Sequence, residues 1–279
     1  MGVQSTGQKI QKIVLTIVFW FFGIIMVIPF VWMISAAFKT QATVYNFPIE
    51  WIPKNPTTKA FRLLFKKVPY MTYFLNSVKV AALALIGTFF SCSLAGFAYA
   101  KIPFKGNKQL FMLKLTATML PGLVTMVPTY MIYAKLGLVG THAALWLPNF
   151  LGGTFGVFLM RQAFMQLPGG LLESARIDGA SNFRIWWNIG LPNVKATIST
   201  LLFIYFLWSW NDYTGPLLYL NEQRLYTLPL AIKLFNDKEM TNIPCIMAAN
   251  LLMLLPVMIL FITCQRFFVN ALVSSGMKG

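Results

Sequence analysis

The sequence predicts an all-α membrane protein with six transmembrane helices. Of its 279 residues, 57% are hydrophobic and only 11% are charged, whereas a soluble globular domain carries about 25% charged residues. A helix needs about 20 residues to cross a hydrocarbon layer of about 30 Å. Five apolar blocks reach about that length without a single Asp, Glu, Lys or Arg: 13–38, 80–100, 115–134, 136–160 and 241–265.

A sixth apolar block, 196–220, is interrupted only by Asp212. Pro121-Gly122 and Gly152-Gly153 lie inside apolar blocks, which lipid tolerates where neighbouring helices or a water-filled cavity satisfy the freed backbone groups. We therefore expect one transmembrane domain over 1–279. Its predicted spans are 13–38, 71–100, 109–134, 141–163, 196–220 and 241–268.

The basic residues give the chain a net charge of +16, but they lie mostly in the gaps between apolar blocks. The chain shows neither a basic helix nor a base-stacking module, so we predict no nucleic-acid partner. Anionic lipid headgroups are the expected partners of this charge. Lys and Arg are almost balanced between alternate gaps, so the positive-inside rule does not decide the orientation.

Metal and catalytic sites are not predicted. Cys92, Cys245 and Cys264 lie in apolar blocks without a CxxC pair, and the single His142 has no Cys, His or acid near it in sequence. The chain also lacks a nucleophile–base pair and a G-x-x-x-x-G-K-[ST] phosphate loop. We therefore expect no catalytic residue, no bound cofactor and no ATP hydrolysis by this chain alone.

The gap between the fourth and fifth predicted spans, residues 164–195, carries the most specific pattern. Three residues separate Glu173-Ser174-Ala175 from Gly179, nine separate Gly179 from Ile189, and one separates Ile189 from Leu191-Pro192. Local signals predict two short helices here. Gly179 suits a left-handed C-terminal cap, Ser181 suits the N-cap of the second helix, and Pro192 is expected to stop that helix.

This spacing resembles the EAA loop of the membrane subunits of bacterial ABC importers, with Ser174 in place of the second consensus residue. The resemblance implies the type I ABC importer permease fold and a cytoplasmic coupling helix that docks on the ATPase. It also places both termini in the cytoplasm. The coupling residues that it implies are Glu173, Ser174, Ala175, Gly179, Leu191 and Pro192, to which Arg176 and Asp178 add polar contacts.

Other segments resemble the maltose, lactose and multiple-sugar branch of these permeases, and the chain looks like the shorter, six-span partner. The matching segments are Met119-Leu120-Pro121, Pro128-Thr129-Tyr130, Leu136-Gly137-Leu138, Arg161 with Leu167-Pro168, Trp210-Asn211-Asp212 with Pro216-Leu217, Leu225-Tyr226-Thr227-Leu228-Pro229 and Gly276-Met277-Lys278-Gly279.

The resemblance implies a pore-forming subunit of an ATP-driven sugar importer in the bacterial inner membrane. Its implied partners are a second permease subunit, two ATP-binding subunits that hold ATP and Mg, and an extracytoplasmic sugar-binding protein. Two alternatives remain open. One is an importer of a non-sugar or anionic solute, and the other is an ion-gradient-driven secondary transporter, which would need several intramembrane acids.

Asp212 is the one acid inside a predicted span, and a carboxylate there is expected to face protein or a cavity rather than lipid. Two interpretations stay open. In the first, the carboxylate is structural, either as an acid at the membrane interface or as a group that bonds broken backbone near Pro121 or Pro148. In the second, it forms the outer sugar path together with Trp208, Asn211 and Tyr213. Aromatic planes beside amide and carboxylate groups suit the C–H faces and hydroxyls of a sugar.

Overall fold

The computed structural model describes residues 6–238 and 242–276, and every regular element in them is helical. This confirms the predicted fold class. The α-helices are α1 (Thr6–Ala37), α2 (Lys59–Lys67), α3 (Tyr70–Lys101), α4 (Asn107–Ala117), α5 (Gly122–Lys135), α6 (Ala143–Trp146), α7 (Thr154–Met165), α8 (Gly169–Ile177), α9 (Asn182–Ile185), α10 (Leu191–Asn193), α11 (Lys195–Trp210), α12 (Thr214–Tyr219), α13 (Leu228–Lys238) and α14 (Ile243–Gly276). Thr241, the predicted start of the sixth span, and residues 277–279 lie outside the described residues.

Four helical stretches in the described residues are long and apolar enough to cross a membrane: Gln11–Ala37, Tyr70–Lys101, Ala143–Met165 and Ile243–Gln265. Two bent helix pairs pass the same test together. One joins α4 to α5 with a bend of 101°, and the other joins Asn182–Asn193 to α11 with a bend of 84°.

The third predicted span, 109–134, is therefore not a straight helix. The bend follows from Pro121, which takes ψ 136° before α5 begins at Gly122. Proline has no N–H to donate, and its ring clashes with the carbonyl four residues earlier, so it favours a break in the helix at this position.

The fifth predicted span, 196–220, also differs from the structure. Helix α11 ends at Trp210, and the short helix α12 begins only at Thr214. In an unbroken helix, the ring of Pro216 would clash with the carbonyl of Asp212. The break therefore places Asp212 in a non-helical connection.

The chain separates into two compact units, Met1–Pro69 with Leu234–Leu254, and Tyr70–Lys233 with Leu255–Gly279. The first unit has a small core at Ala37, Ala60 and Ala248. The second unit contains the main core, which is built from α3, α7, α11 and the 164–195 loop.

Close packing of α3 on α7 requires a residue without a side chain at one crossing point. A Cβ added to Gly96 would lie 2.6 Å from Met160 Cβ and 2.9 Å from the backbone nitrogen of Arg161. Small residues let membrane helices approach this closely, so that van der Waals contact holds them together. The result is a tightly packed core that also includes buried residues of the loop that carries the motif.

Candidate functional site: the coupling loop and a polar cavity

Helix α8, which we call the coupling-loop helix, has one buried and one exposed face. Leu172 and Ala175 are only 3% and 9% exposed and belong to the main core. Glu173 and Ile177 lie one turn apart on the opposite face, where residues at i and i+4 are neighbours. Ile177 is 86% exposed, and Glu173 and Ser174 are exposed as well. The helix thus presents an apolar side chain and a carboxylate together.

The end of the coupling-loop helix confirms the predicted cap. Gly179 has a φ of +77°, its N–H donates to the Arg176 carbonyl at 3.0 Å, and the N–H of Ala180 donates to the Ala175 carbonyl at 2.9 Å. These two bonds form a Schellman motif, in which a residue with positive φ satisfies the last helical carbonyls. Asp178, the residue before the glycine, is exposed. Gly179 therefore fixes the direction in which the chain leaves α8.

The second helix of the loop begins as predicted but ends differently. Ser181 is its N-cap, and its hydroxyl accepts from the N–H of Arg184 at 3.3 Å. Pro192 does not stop the helix, since it lies inside α10, and the bend occurs at Val194. A π-helical segment, Trp186–Gly190, precedes it. The wider π-helical turn accommodates Pro192, which has no N–H for the ordinary helical hydrogen bond and whose ring would clash with the carbonyl four residues earlier.

Two hydrogen bonds join the loop to the end of α3. The Arg176 guanidinium donates to the backbone carbonyl of Lys101 at 3.0 Å, and the Lys101 ammonium donates to the carbonyl of Leu167 at 2.7 Å. The last carbonyls of a helix have no partner within it. We call this pair of bonds the α3 clamp. It satisfies the Lys101 carbonyl at the end of α3, and it holds the chain near both ends of the coupling-loop helix.

The structure divides the residues that the sequence analysis proposed for coupling. Glu173, Ser174, Asp178, Gly179 and Pro192 are exposed, and so is the clamp residue Arg176. In contrast, Ala175 and Leu191 are buried in the main core. They offer almost no surface to a partner, because both side chains are buried in this core. Their contribution is to hold the exposed residues in place.

A polar cavity of about 330 Å³ lies between α3, α6, α11 and α12 in the second unit. Its polar and aromatic lining consists of Asn149, Tyr205, Trp208, Ser209, Asp212 and Thr227. Tyr205 also belongs to the main core that contains Leu172 and Ala175 of the coupling-loop helix. One continuous packed core thus connects the loop to the cavity wall.

The structure places two of the four predicted substrate-path residues in this cavity, namely Trp208 and Asp212. Asn211 and Tyr213 are not part of its lining. Asn211 instead donates its amide to the carbonyl of Leu207 at 2.9 Å. Asp212 Oδ1 accepts from the N–H of Gly215 at 3.0 Å, so the carboxylate satisfies the start of α12 and not backbone near Pro121 or Pro148.

Several residues at these sites were not identified from the sequence. Lys101 and Leu167 of the α3 clamp are 66 positions apart, and Asn149 and Thr227 of the cavity come from separate segments. Leu167 and Thr227 did appear in segments that carried the family resemblance, but nothing near either residue in sequence indicated the clamp or the cavity. Only the packing of distant segments brings these groups together.

Long apolar helices with a polar cavity between them indicate a membrane protein that can hold a polar solute. Comparison with known families agrees. The chain belongs to the family described as binding-protein-dependent transport system inner membrane component, whose model matches residues 87–273. It is thus a multi-pass inner-membrane component of a transporter.

Two curated relatives and one solved structure resemble the chain over most of its length. The arabinooligosaccharides transport system permease protein AraQ of Halalkalibacterium halodurans is 32% identical and covers 95% of this chain and 96% of its own. The galactooligosaccharides transport system permease protein GanQ of Bacillus subtilis is 30% identical, with 93% of each chain covered. A chain of a bacterial ABC transporter involved in the import of the acidic polysaccharide alginate has the same fold. Its TM-score is 0.83 at 19% identity, with coverage of 96% of this chain and 100% of that chain.

Proposed function

We propose that this chain is a pore-forming subunit of an ATP-driven importer for oligosaccharides, and that the coupling-loop helix is its contact with an ATP-binding subunit. The observation that carries this proposal is the free face of α8, which presents Glu173 and the 86% exposed Ile177 side by side. An apolar side chain exposed to this extent beside a carboxylate is suited to a partner's cleft. Membership of the transport family, together with relatives named for oligosaccharides, supports the substrate class.

The packing supports a mechanical link between this contact and the transport path. Leu172 and Ala175 lie in the same core as Tyr205, and Tyr205 lines the polar cavity. Protein interiors are close-packed and transmit displacement rather than absorbing it. A movement of α8, driven by ATP binding in a partner, would therefore shift the helices around the cavity. The α3 clamp makes α3 move with the loop.

The assembly that follows from this proposal contains a second permease subunit, two ATP-binding subunits that hold ATP and Mg, and an extracytoplasmic sugar-binding protein. The coupling loop then lies in the cytoplasm, as do both termini. A cysteine introduced at Asn182 should be labelled from the cytoplasmic side and one at Asn55 from outside. Both positions are exposed, and the reverse labelling would contradict the orientation.

Reconstitution tests the function as a whole. The chain is assembled with its partner subunits in proteoliposomes, the binding protein is added outside, and uptake of labelled saccharides is measured with and without ATP. The panel contains neutral oligosaccharides, acidic oligosaccharides and sn-glycerol 3-phosphate. Uptake that requires ATP and the binding protein is expected for at least one oligosaccharide. Uptake of the phosphate ester alone, or uptake driven by an ion gradient without ATP, would contradict the proposal.

A further inference from the structure

The polar cavity contains a buried hydroxyl that has no partner. Thr227 is only 4% exposed, it lines the cavity, and its Oγ1 makes no hydrogen bond with any described residue. Leaving a hydroxyl buried and unsatisfied costs free energy, so such groups in folded proteins are normally paired. A polar group that enters the cavity and reaches this hydroxyl would complete the pair.

The Asp212 carboxylate, which lines the same cavity, has acceptor capacity left. Asp212 accepts hydrogen bonds from the backbone N–H groups of Gly215 and Thr214, whereas an ionised carboxylate offers about four lone-pair sites. Two more hydrogen bonds can therefore be accepted from donors in the cavity. A saccharide, with several hydroxyls on each ring, supplies such donors.

Aromatic rings form another part of the wall. Trp208 packs against Tyr205 with ring centroids 5.0 Å apart and planes inclined by 55°, and Trp208 remains 54% exposed. Its exposed ring provides an apolar surface for the C–H face of a sugar. Ligand sites commonly combine such surfaces with a few polar groups that fix orientation.

The charge of the lining selects among saccharides. Asp212 is acidic, and none of the residues that line this cavity is Lys, Arg or His. An anionic sugar would have to place its carboxylate near that of Asp212 without a cation to offset the repulsion. A neutral sugar has no charge to be repelled, and it contacts only hydrogen-bonding groups and aromatic rings of the lining.

We propose that the Asn149–Asp212–Thr227 cavity of this subunit is a saccharide-binding site that accepts neutral oligosaccharides and rejects uronic-acid ones. This proposal rests on the proposed function and adds to it the charge class of the substrate and the residues that distinguish neutral from anionic sugars. Asp212 excludes the anion, while Thr227 and Asp212 hold sugar hydroxyls.

Direct binding to the assembled transporter, purified without its binding protein, tests this proposal. The omission matters because the binding protein has a selectivity of its own. The two probes are galactotetraose and tetragalacturonate, which differ in charge but not in length. Binding is followed by saturation-transfer NMR, which detects weak complexes. For the unaltered transporter we expect the neutral probe to bind at least about tenfold more tightly, the scale on which like-charge repulsion discriminates partners.

Three variants separate the contributions. Asp212→Asn keeps the oxygen that accepts from Gly215, so α12 stays capped, and it should reduce the preference for the neutral probe about tenfold by improving binding of the acidic probe. Glu222→Gln removes the same charge from an exposed residue that pairs with Arg224, and it should leave the preference unchanged. Thr227→Val should weaken binding of the neutral probe several-fold without lowering the unfolding temperature, since the hydroxyl has no partner in the protein.

The result that overturns this inference is equal binding of both probes, binding of neither, or an equal effect of Asp212→Asn and Glu222→Gln. A Thr227→Val variant that loses stability but binds normally would show that the hydroxyl is structural. These failures are distinct from failure of the proposed function. ATP-dependent uptake of an oligosaccharide in proteoliposomes can persist when this cavity is not the binding site. Loss of that uptake would contradict the proposed function, and it is measured in a separate experiment.

Discussion

Arg176 and Lys101 form reciprocal hydrogen bonds between the coupling loop and the end of α3, each through its side chain to a backbone carbonyl of the other segment. The Arg176 side chain donates to the Lys101 carbonyl at 3.0 Å, and the Lys101 side chain donates to the Leu167 carbonyl at 2.7 Å, two residues before α8 begins. Since Lys101 is the last residue of α3, the coupling-loop helix is tied to the end of a long core helix. Any force on α8 therefore reaches α3 through side chains that bind backbone directly.

Breaking the α3 clamp should reduce coupling. Arg176→Ala removes the donor to the Lys101 carbonyl, and because Arg176 is exposed we expect a loss of only about 1 kcal/mol of local stability. The measurement is the number of saccharides imported for each ATP hydrolysed, together with hydrogen exchange of the α8 amides. The number imported should fall and exchange should become faster.

The matched control for the clamp is Arg184→Ala, which removes an exposed basic side chain from the same loop. It should leave both quantities unchanged. An unchanged ratio in Arg176→Ala, or the same decrease in Arg184→Ala, would show that the clamp plays no part in coupling. Arg176→Lys should keep part of the import for each ATP hydrolysed, because an ammonium can donate one hydrogen bond to the Lys101 carbonyl.

Removing the carboxylate of Glu173 should weaken attachment of the ATP-binding subunit. Loss of a charged contact leaves polar groups of the partner unpaired, at a cost of about 1–3 kcal/mol. We therefore expect Glu173→Ala to lower the affinity of the ATP-binding subunit about tenfold or more, or to uncouple hydrolysis from uptake, while membrane insertion stays normal. Pull-down titration and uptake measure these effects. Glu222→Ala, at an exposed ion pair elsewhere, is the control, and wild-type uptake with wild-type ATPase stimulation in Glu173→Ala would contradict the assignment.

A side chain at Gly179 should disturb the loop even though space is available. Nothing lies within 4 Å of a Cβ added there, but the φ of +77° is strained for any L side chain. The left-handed conformation costs about 1–2 kcal/mol, and a β-branched residue resists it most. Gly179→Val should therefore lose at least as much uptake as Glu173→Ala, as measured in the same proteoliposomes.

Gly122→Val provides the comparison for this backbone effect. Gly122 also has open space around it, but its φ is not positive. This substitution should be tolerated much better. Equal losses of uptake in the two variants would attribute the effect to side-chain size and not to the conformation of the cap.

The local features of the coupling loop were predictable because they depend on neighbours in sequence. Gly179 and Ser181 were identified as caps from residue type and position, and both have these roles in the structure. Pro192 was expected to end its helix, but it lies in α10 behind a π-helical segment. Its missing hydrogen bond is accommodated by the wider turn, which residue type alone does not reveal.

Features that depend on distant packing were not predictable. The sequence marked Asp212 as unusual and placed it in a continuous helix, whereas the structure ends α11 at Trp210 and uses the carboxylate to bind the Gly215 N–H. Thr227 joins the same cavity only because the chain after α12 returns to α3, where the N–H of Leu228 donates to Ser77 Oγ at 2.8 Å. Such contacts have no local signature.

Cross-linking from the exposed face of the coupling-loop helix tests the central claim most directly. A photo-reactive side chain replaces Ile177, which is 86% exposed, in the complete transporter within membranes, and the cross-linked partner is identified by mass spectrometry. The same side chain at the exposed Asn55 is the control. We predict that position 177 cross-links to the ATP-binding subunit, with a yield that changes when ATP binds, and that position 55 does not. Absence of this product from an ATP-hydrolysing complex, or an equal yield from both positions, would contradict the proposal that this loop couples transport to ATP.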